Sequence, residues 1–205
     1  MKNIFLFLLL FPLYGSAQLL DADAILDKAV GVMKSDAPLQ MDYSYTVYDE
    51  DDAVVMKDKG IMRLDGNRYS LVMDKMGVWC DGETQWSYML ELDEIYITDS
   101  SSDEAENLSP LFIMENYRQG CSKEVEKQGG VTFVTLNTPA GGDIEKVVIG
   151  IDSESYRLES LKIFMPEQGH IAIVLDKYQI KCNFATEVYK CPVEDFPDAE
   201  IVDMR

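Results

Sequence analysis

Residues 39–47 alternate between apolar and polar side chains with the two-residue period of a β-strand. Odd-numbered positions from 39 to 47 carry Leu, Met, Tyr, Tyr and Val. A second extended run, Val54–Leu64, follows an acidic turn, and Asp65–Asn67 turns the chain again into Arg68–Met73. Because glycine accepts the positive φ of a tight turn, Gly66 suits a connection between adjacent antiparallel strands. The pattern predicts an antiparallel meander.

A second hairpin is predicted at Asp81-Gly82, which stands between two extended runs. Large residues alternate with smaller or polar ones on both sides of this turn, and a period of two places each set on one face of a sheet. The alternating residues are Tyr69, Leu71 and Met73 before the turn and Thr84, Trp86 and Tyr88 after it. Two interpretations remain open: an apolar concave face that leaves room for a ligand, and an ordinary filled core.

Two segments have the spacing of apolar residues that is typical of helices. The first follows the capping residues Asp21 and Asp23 and ends before Pro38. Its apolar stripe consists of Ile25, Leu26, Ala29, Val30 and Met33. The second begins at Pro110, whose fixed φ suits the first helical position, and four adjacent apolar residues follow at 111–114. The first helix either packs permanently on the sheet or covers a cavity and moves, and both alternatives stay open.

The remaining extended runs complete the prediction of the fold. They lie near positions 77–80, 84–90, 94–98, 121–127, 131–138, 144–152, 156–165 and 170–182. About eleven strands with two or three helices result, without the βαβ alternation of parallel sheets. We therefore predict a mainly β fold, in which helices cover a curved antiparallel sheet or unclosed β-barrel. No linker marks a boundary, so residues 18–205 are expected to form one domain.

The first 17 residues have the pattern of a secretory signal peptide. Lys2 precedes the apolar run Ile4–Leu13, and Gly15–Ala17 offers small residues for cleavage before Gln18. The apolar run is too short for a membrane span, and no cysteine follows the cleavage site to carry a lipid anchor. We expect a soluble, exported protein.

Acidic residues dominate the charge of the chain. The 37 Asp and Glu residues exceed the 18 Lys and Arg residues, which gives a formal net charge of −19 at pH 7. A field of this sign repels phosphate backbones and anionic lipid headgroups. The composition therefore argues against nucleic acid as a partner, and it fits simple solubility as well as the steering of a partner protein.

Four cysteines, at positions 80, 121, 182 and 191, allow up to two disulfides in an exported protein. Cys182 and Cys191 flank a predicted bend and are the candidate pair. Cys80 and Cys121 can equally be buried thiols. Because no Cys-x-x-Cys occurs, the sequence argues against redox catalysis and against a structural zinc site.

No residue pattern points to catalysis. The single histidine, His170, follows Gly169 in a predicted turn, where a solvated side chain is expected rather than a catalytic base. The chain has no Gly-x-Ser-x-Gly elbow, no phosphate-binding glycine loop and no histidine-rich metal motif. Its many carboxylates leave a glycosidase-like pair formally open, although a solvated acidic surface is the simpler interpretation. We predict that the protein is not an enzyme and that it has no metal site.

Four sequence motifs occur in a fixed order along nearly all of the chain that follows the leader. The central one is Asp81-Gly82-x-Thr84-x-Trp86-x-Tyr88. The others are the helix start at 23–28, the Pro-led apolar helix at 110–114 and the chain end at 201–205. Together they resemble the LolA-type periplasmic lipoprotein carriers. The resemblance implies a half-closed barrel with a helical lid, whose apolar hollow holds the acyl chains of a lipoprotein.

The same resemblance implies partners and lipid-binding residues. Family members take lipoproteins from an inner-membrane ABC-type release complex and pass them to an outer-membrane acceptor, so no cofactor is needed on the carrier. The family strand whose alternate side chains line the cavity corresponds here to Tyr69, Leu71 and Met73. The lid helix of the family corresponds to Leu111, Phe112 and Met114. Further candidates are Trp86 and Tyr88 in the motif and Tyr43 and Tyr45 on the first strand.

The arginine that latches the lid in many family members is missing from its usual position in this chain. Family proteins often carry Arg before Pro at the end of the strand that precedes Tyr69, and this arginine latches the lid. Asp65–Asn67 stands there instead, so Arg63 and Arg68 are the candidate substitutes. Two other functions stay open, namely a lipid-sensing or interaction domain of the cell envelope with the same fold, and a filled barrel with a structural role.

Overall fold

The computed structural model describes residues 21–101, 110–116 and 118–205. The predicted signal peptide, at positions 1–17, lies outside the described residues. Within the described ranges, neither helix combines the length and the hydropathy that a membrane crossing requires.

The described fold consists of two α-helices, two short 3-10 helices and a twelve-stranded sheet. The helices are α1 (Ala22–Asp36) and α2 (Pro110–Asn116), and the 3-10 helices span Thr186–Tyr189 and Val193–Asp195. The strands are β1 (Leu39–Tyr48), β2 (Val54–Asp65), β3 (Arg68–Met73), β4 (Met76–Cys80), β5 (Thr84–Met89), β6 (Glu94–Asp99), β7 (Ser122–Gln128), β8 (Val131–Asn137), β9 (Lys146–Asp152), β10 (Leu158–Met165), β11 (Gly169–Gln179) and β12 (Glu200–Asp203).

The sheet consists of two antiparallel meanders, β1–β6 and β7–β11. The long-range pair of β1 and β11 joins them in the middle of the sheet. Its strand order is β12-β6-β5-β4-β3-β2-β1-β11-β10-β9-β8-β7. Only β12 runs parallel to its neighbour, β6. The edge strands β7 and β12 do not pair with each other, so the curved sheet is unclosed. The predicted fold class is confirmed, and the short strand β12 is the element that the count of about eleven missed.

Helix α1 covers one face of the sheet. The side chain of Asp21 accepts a hydrogen bond from the backbone N–H of Asp23 at 3.0 Å and caps the helix start. The apolar stripe predicted from the sequence is buried, and Leu26 and Met33 at its centre are 0% and 1% exposed. The helix ends before Pro38, as predicted. We call the sheet face under α1 the interior face and the opposite one the outer face.

A large cluster fills most of the interior face. It combines the stripe of α1 with alternate residues of β1–β4 and β8–β10 and with Ile113 and Met114 of α2. Its fully buried members on β9 are Val147, Ile149 and Ile151. Burial of this much apolar surface is the main stabilising contribution to such a fold.

A second apolar cluster lies on the outer face of β3–β6. Trp79 pairs with Trp86, and Trp86 pairs with Ile97, so the three side chains form one row across neighbouring strands. The C-terminal segment after β11 packs over this row, and the ring of Phe196 lies 4.0 Å from that of Tyr88 and 6.2 Å from that of Trp79, centroid to centroid. Both faces of this part of the sheet are therefore covered.

The predicted Cys182–Cys191 disulfide is not present, because Cys182 and Cys191 are both free thiols in the structure. The backbone N–H of Cys182 donates to the carbonyl of Pro38 at 2.7 Å, next to the start of β1. Cys191 is buried in the outer cluster with Trp79 of β4. Three strand spacings of about 4.8 Å each separate β1 from β4, whereas a disulfide requires Cα atoms about 4.4–6.8 Å apart. The segment between Cys182 and Cys191 therefore runs across the outer face of the sheet from β1 to β4 and does not form a tight turn.

We predict that Phe196→Ala loosens the outer cluster selectively. Both tryptophans of the chain lie in this cluster, so their emission should shift to longer wavelength and become more accessible to acrylamide. The free energy of unfolding should fall by roughly 2–3 kcal/mol, because Phe196 is only partly buried and a fully buried Phe loses about 3–5 kcal/mol. Met204→Ala, at a residue that is 44% exposed, is the matched control, and unchanged emission in Phe196→Ala would contradict the packing described.

The cysteines should separate into two classes of reactivity towards a thiol reagent at pH 8. Burial, with Glu194 and Asp195 nearby, raises the pKa of the Cys191 thiol to about 12, and burial also raises the pKa of Cys80. Since the thiolate is the reactive form, these two thiols should react slowly in the folded protein and the half-exposed Cys121 and Cys182 quickly. In urea without reductant, four thiols should titrate, and a count of two would reveal a disulfide.

Candidate functional site

On β1 and β3, burial of the interior-facing residues decreases from one end of the strand to the other, whereas Leu136 on β8 and Val147 on β9 are fully buried. On β1 the exposure is 0% at Leu39, 1% at Met41 and 6% at Tyr43, whereas Tyr45 and Val47 are partly exposed. On β3 it is 3% at Tyr69 and 7% at Leu71, and Met73 is partly exposed. We call the well-covered end the closed end and the other, which carries the hairpins β1–β2, β3–β4, β5–β6 and β10–β11, the open end.

Hydrogen bonds tie helix α1 to the closed end of the sheet. Its Asp36 carboxylate accepts a hydrogen bond from Arg157 at 3.0 Å, and Lys28 donates to the hydroxyl of Tyr156 at 3.2 Å. Arg157 and Tyr156 lie between β9 and β10, at the closed end. The backbone N–H of Lys181 donates to the carbonyl of Asp36 at 3.0 Å. The helix is therefore fixed at the closed end.

Partly exposed apolar side chains line the interior face at the open end. These residues, which we call the open-end surface, are Tyr45, Met56, Met73, Met76, Ile163 and Ile173. Five of them pack against the interior cluster, and Met56, at 37% exposure, lies at the rim. The Tyr45 hydroxyl donates to Met56 Sδ at 3.4 Å. Methionine is flexible and polarizable, so this surface can adapt to apolar ligands of different shape.

Ion pairs tie α1 to its neighbours along the edge of the interior. Lys34 Nζ lies 2.5 Å from Glu115 of α2, and Lys123 of β7 contacts both carboxylate oxygens of Asp23 at 2.7 Å. Arg118 pairs with Asp27. At least one partner in each of these pairs is substantially exposed to solvent, and exposed ion pairs contribute only about 0–1 kcal/mol each. Apolar packing is what holds the helix on the sheet.

Most of the predicted lipid-binding residues share the interior face. Tyr43, Tyr69 and Leu71 belong to its buried cluster, and Tyr45 and Met73 to its open-end surface. In α2, Met114 is 1% exposed and Leu111 packs against the cluster, whereas Phe112 is half-buried. Tyr69 is also satisfied inside the core, since its hydroxyl donates to Gln85 Oε1 at 2.5 Å, and burial raises the pKa of this phenol.

Trp86 and Tyr88 do not belong to the interior, which corrects the prediction made from the motif. Their strand partners are Trp79 and Gly77, and these residues alternate with the interior residues Val78 and Cys80. Both aromatic side chains therefore face the C-terminal segment on the outer face. Their part in the motif is structural.

Arg63 and Arg68 are not lid latches in the structure, because both contact the C-terminal segment. Arg63 donates to the Gln40 side chain at 3.1 Å, and its guanidinium lies 5.8 Å from the ring of Phe184. Arg68 pairs with Asp65 and lies 5.0 Å from the ring of Tyr189. Each arginine precedes or follows an interior residue on its strand, so the alternation sends it to the outer face. The two side chains hold the segment that covers this face.

Four members of the open-end surface were not predicted from the sequence: Met56, Met76, Ile163 and Ile173. Their strands were predicted, but the register that places Tyr45 opposite Ile173 joins segments more than 120 positions apart. The sequence does show that Ile171, Ile173 and Leu175 alternate and so share one face of their strand. It does not show whether this face is the interior or the outer one.

Two shallow grooves of about 590 and 560 Å³ lie along the described surface. Asp176 and Lys177 line both grooves. Most of the other lining residues, such as Phe133 in the first groove and Ile61 in the second, belong to the outer face. Both grooves include polar and charged residues, among them Asp176 and Lys177. Among the described residues, no group of three or more His, Cys, Asp or Glu side chains could hold a metal ion. Chemically, the apolar open-end surface is the part of the molecule suited to a greasy ligand.

The sequence was next compared with known proteins. A model of the family described as "Outer membrane lipoprotein carrier protein LolA" matches residues 18–167. The chain belongs to this LolA family. No curated protein sequence matches the chain.

Solved structures with the LolA-like fold share little sequence with this member of the family. An uncharacterized conserved protein from Thermus thermophilus superposes with a TM-score of 0.53 at 9% identity, covering 89% of this chain and 98% of the other. A LolA superfamily protein from Nitrosomonas europaea has a TM-score of 0.44 at 9% identity, covering 85% and 99%. The lipoprotein LppX of Mycobacterium tuberculosis has a TM-score of 0.43 at 14% identity, covering 80% and 98%. At these identities the Thermus structure supports the fold alone.

The burial gradient predicts different costs for truncation at neighbouring interior positions of β3. Leu71→Ala should lower the free energy of unfolding by about 2–5 kcal/mol, because it leaves a void among packed side chains. Met73→Ala, two residues nearer the open end, should cost less than about 2 kcal/mol, because fewer protein atoms surround it. Urea unfolding of both variants measures the difference, and equal losses would show that the open end is packed as tightly as the closed end.

Proposed function

We propose that this protein is a periplasmic carrier that binds the acyl chains of lipoproteins on its interior face and delivers them to the outer membrane. The observation that carries the proposal is the burial gradient on β1 and β3, which leaves apolar side chains of the interior face partly exposed at the open end. Membership of the LolA family supports the same function. In this proposal residues 18–205 act as one exported carrier domain.

The energetics of acyl chains explain why such a surface is needed. Each CH₂ group that leaves water gains about 0.8 kcal/mol, so a chain of ~16 carbons gains more than ~10 kcal/mol. Transit of an uncovered chain through water is therefore prohibitive. A surface that bound the chain far better than a bilayer would never release it, and a shallow, adaptable lining of Met, Ile and Tyr side chains suits reversible binding.

Cargo binding also requires space, and the closed end is already filled by side chains. Acyl chains therefore enter from the open end, and longer chains displace the helices that cover the interior. The exposed ion pairs Lys34–Glu115 and Asp27–Arg118 offer little resistance to this movement. Leu111, Phe112 and Met114 of α2 then contact the chains as the lid. An inner-membrane ABC-type complex supplies the cargo, and an outer-membrane acceptor receives it.

A pair of adjacent substitutions on β11 tests the site. Ile173→Glu places a carboxylate on the open-end surface, and its desolvation by acyl chains is strongly unfavourable. We expect Ile173→Glu to stay folded, because the residue is partly exposed, and to bind a dipalmitoyl lipopeptide at least about tenfold more weakly, which corresponds to ~1.4 kcal/mol. Val174→Glu is the matched control, since Val174 is 53% exposed and alternates to the outer face.

Lipopeptide affinity and lipoprotein release from spheroplasts are the two measurements. The proposal requires that Val174→Glu behaves as the unsubstituted protein in both, while Ile173→Glu fails in both. If Ile173→Glu folds, binds lipopeptide normally and still releases lipoproteins, the acyl chains do not occupy the open-end surface. If the unsubstituted protein binds no lipopeptide at all, the carrier function itself is wrong.

A further inference from the structure

One carboxylate interrupts the apolar row that β2 contributes to the interior face. Alternation along this strand places Met56, Asp58, Gly60 and Met62 on the same face, and Asp58 lies directly opposite Tyr45 in the register. Met62 is 2% exposed and Met56 37% exposed, so Asp58 stands where the covered interior meets the open-end surface. Asp58 is partly exposed at this boundary, so its carboxylate is accessible to a ligand.

Among the described residues, no Lys, Arg or His side chain forms an ion pair with Asp58. Its neighbours Lys57 and Lys59 alternate to the outer face. Its carboxylate accepts one hydrogen bond, from the backbone N–H of Lys59 at 2.7 Å. An ionised carboxylate has about four acceptor positions, so most of its capacity is unused.

A buried hydroxyl without a partner lies beside this acid. The Tyr43 ring crosses from β1 onto β2 and lies over Gly60, where a Cβ atom would be 2.2 Å from the Tyr43 hydroxyl oxygen. Tyr43 is 6% exposed, and its hydroxyl makes no hydrogen bond to any described residue. Gly60 and Asp58 are two positions apart on one face, a separation of about 7 Å. The hydroxyl therefore points into the region between the core and Asp58.

The electrostatic environment of the two tyrosines agrees with this placement. Burial raises the pKa of Tyr43, and the neighbouring Tyr45 and Asp58 raise it further. Burial also raises the pKa of Tyr45, with added effects of Asp58 and Asp74. Both phenols therefore remain protonated at neutral pH and lie within the field of the Asp58 carboxylate.

We propose that Asp58, with the hydroxyls of Tyr43 and Tyr45, binds a primary ammonium group that the ligand carries next to its acyl chains. The inference rests on the proposed carrier function and defines its cargo. The free α-amino group of a cysteine that bears a diacylglyceryl thioether has this chemistry, and so does the headgroup of phosphatidylethanolamine. Either ligand would place its acyl chains on the apolar side of Asp58 and its ammonium at the boundary with water.

An ammonium fits this site better than other polar headgroups. It offers three donors, which match the carboxylate and the oxygens of the two phenols, and its charge compensates that of Asp58. A phosphate or sulfate would meet Asp58, Asp74 and a chain of net charge −19, so it would be repelled. An N-acylated cysteine has no positive charge and would leave the carboxylate unpaired.

The test compares two dipalmitoyl lipopeptides with the same uncharged peptide, one with a free α-amine and one N-acetylated. We expect the free amine to bind the full exported chain about tenfold more tightly, as for a charge-assisted hydrogen bond. Asp58→Asn should abolish this preference and leave the affinity for the acetylated peptide unchanged. Asp176→Asn is the matched control, because its carboxylate lies on the outer face and accepts from Ser44 at 2.6 Å.

A second variant and a second ligand pair identify the role of the hydroxyl and the source of the amine. Tyr43→Phe should reduce the preference for the free amine without lowering stability to urea, since the hydroxyl has no partner to lose. Phosphatidylethanolamine and phosphatidylglycerol vesicles measure the alternative source. A preference for the ethanolamine lipid, without one between the lipopeptides, would assign the site to a phospholipid headgroup.

The outcomes separate this inference from the carrier function. If the protein binds both lipopeptides equally and shows no preference for the ethanolamine lipid, the carrier function stands and the ammonium site is wrong. If Asp58→Asn weakens both lipopeptides equally, Asp58 is structural and the site is wrong. If no lipopeptide binds to the unsubstituted protein, both the carrier function and the ammonium site fail.

Discussion

The structure depends on one constraint: strands β3 and β4 carry apolar side chains on both faces of the sheet, so both faces must be covered. Helix α1 and α2 cover the interior face, and the C-terminal segment covers the outer one. Two arginines and the ring of Phe196 hold this segment in place. The double cover leaves apolar side chains at the open end of the interior incompletely buried, and the proposed site lies there.

The two covers differ in how they are attached, and this difference suits a carrier. The C-terminal segment adds the strand β12 to the sheet, pairing in register with β6, so its removal would break backbone hydrogen bonds. Helix α1 has apolar contacts and solvent-exposed ion pairs with its neighbours. Apolar contacts with a helix can be exchanged for contacts with acyl chains at little net cost, whereas backbone hydrogen bonds have no such substitute. The interior is therefore the face that can open.

Glycine positions make the close packing on both faces possible. Tyr43 lies over Gly60 on the interior face, and Trp79 lies back over Gly77 on the outer face, where an added Cβ would be 2.0 Å from the indole ring. Because each glycine has no side chain, an aromatic ring can lie directly against its backbone. On the interior side, this contact is what directs the Tyr43 hydroxyl towards the boundary that Asp58 occupies.

The sequence by itself determined the elements: the period of two, the Gly-containing turns and the capped apolar stripe of α1 are local properties, and they identified the mainly β fold and the interior residues of α1, β1 and β3. Only the tertiary structure decided which face each strand presents. Alternation shows that Trp86 and Tyr88 share a face, but the pairing with Trp79 and the cover by Phe196 make it the outer one. For the same reason the paired positions of Tyr45, Asp58 and Ile173 became visible only in the structure, because long-range strand register is set by global packing and not by any local pattern.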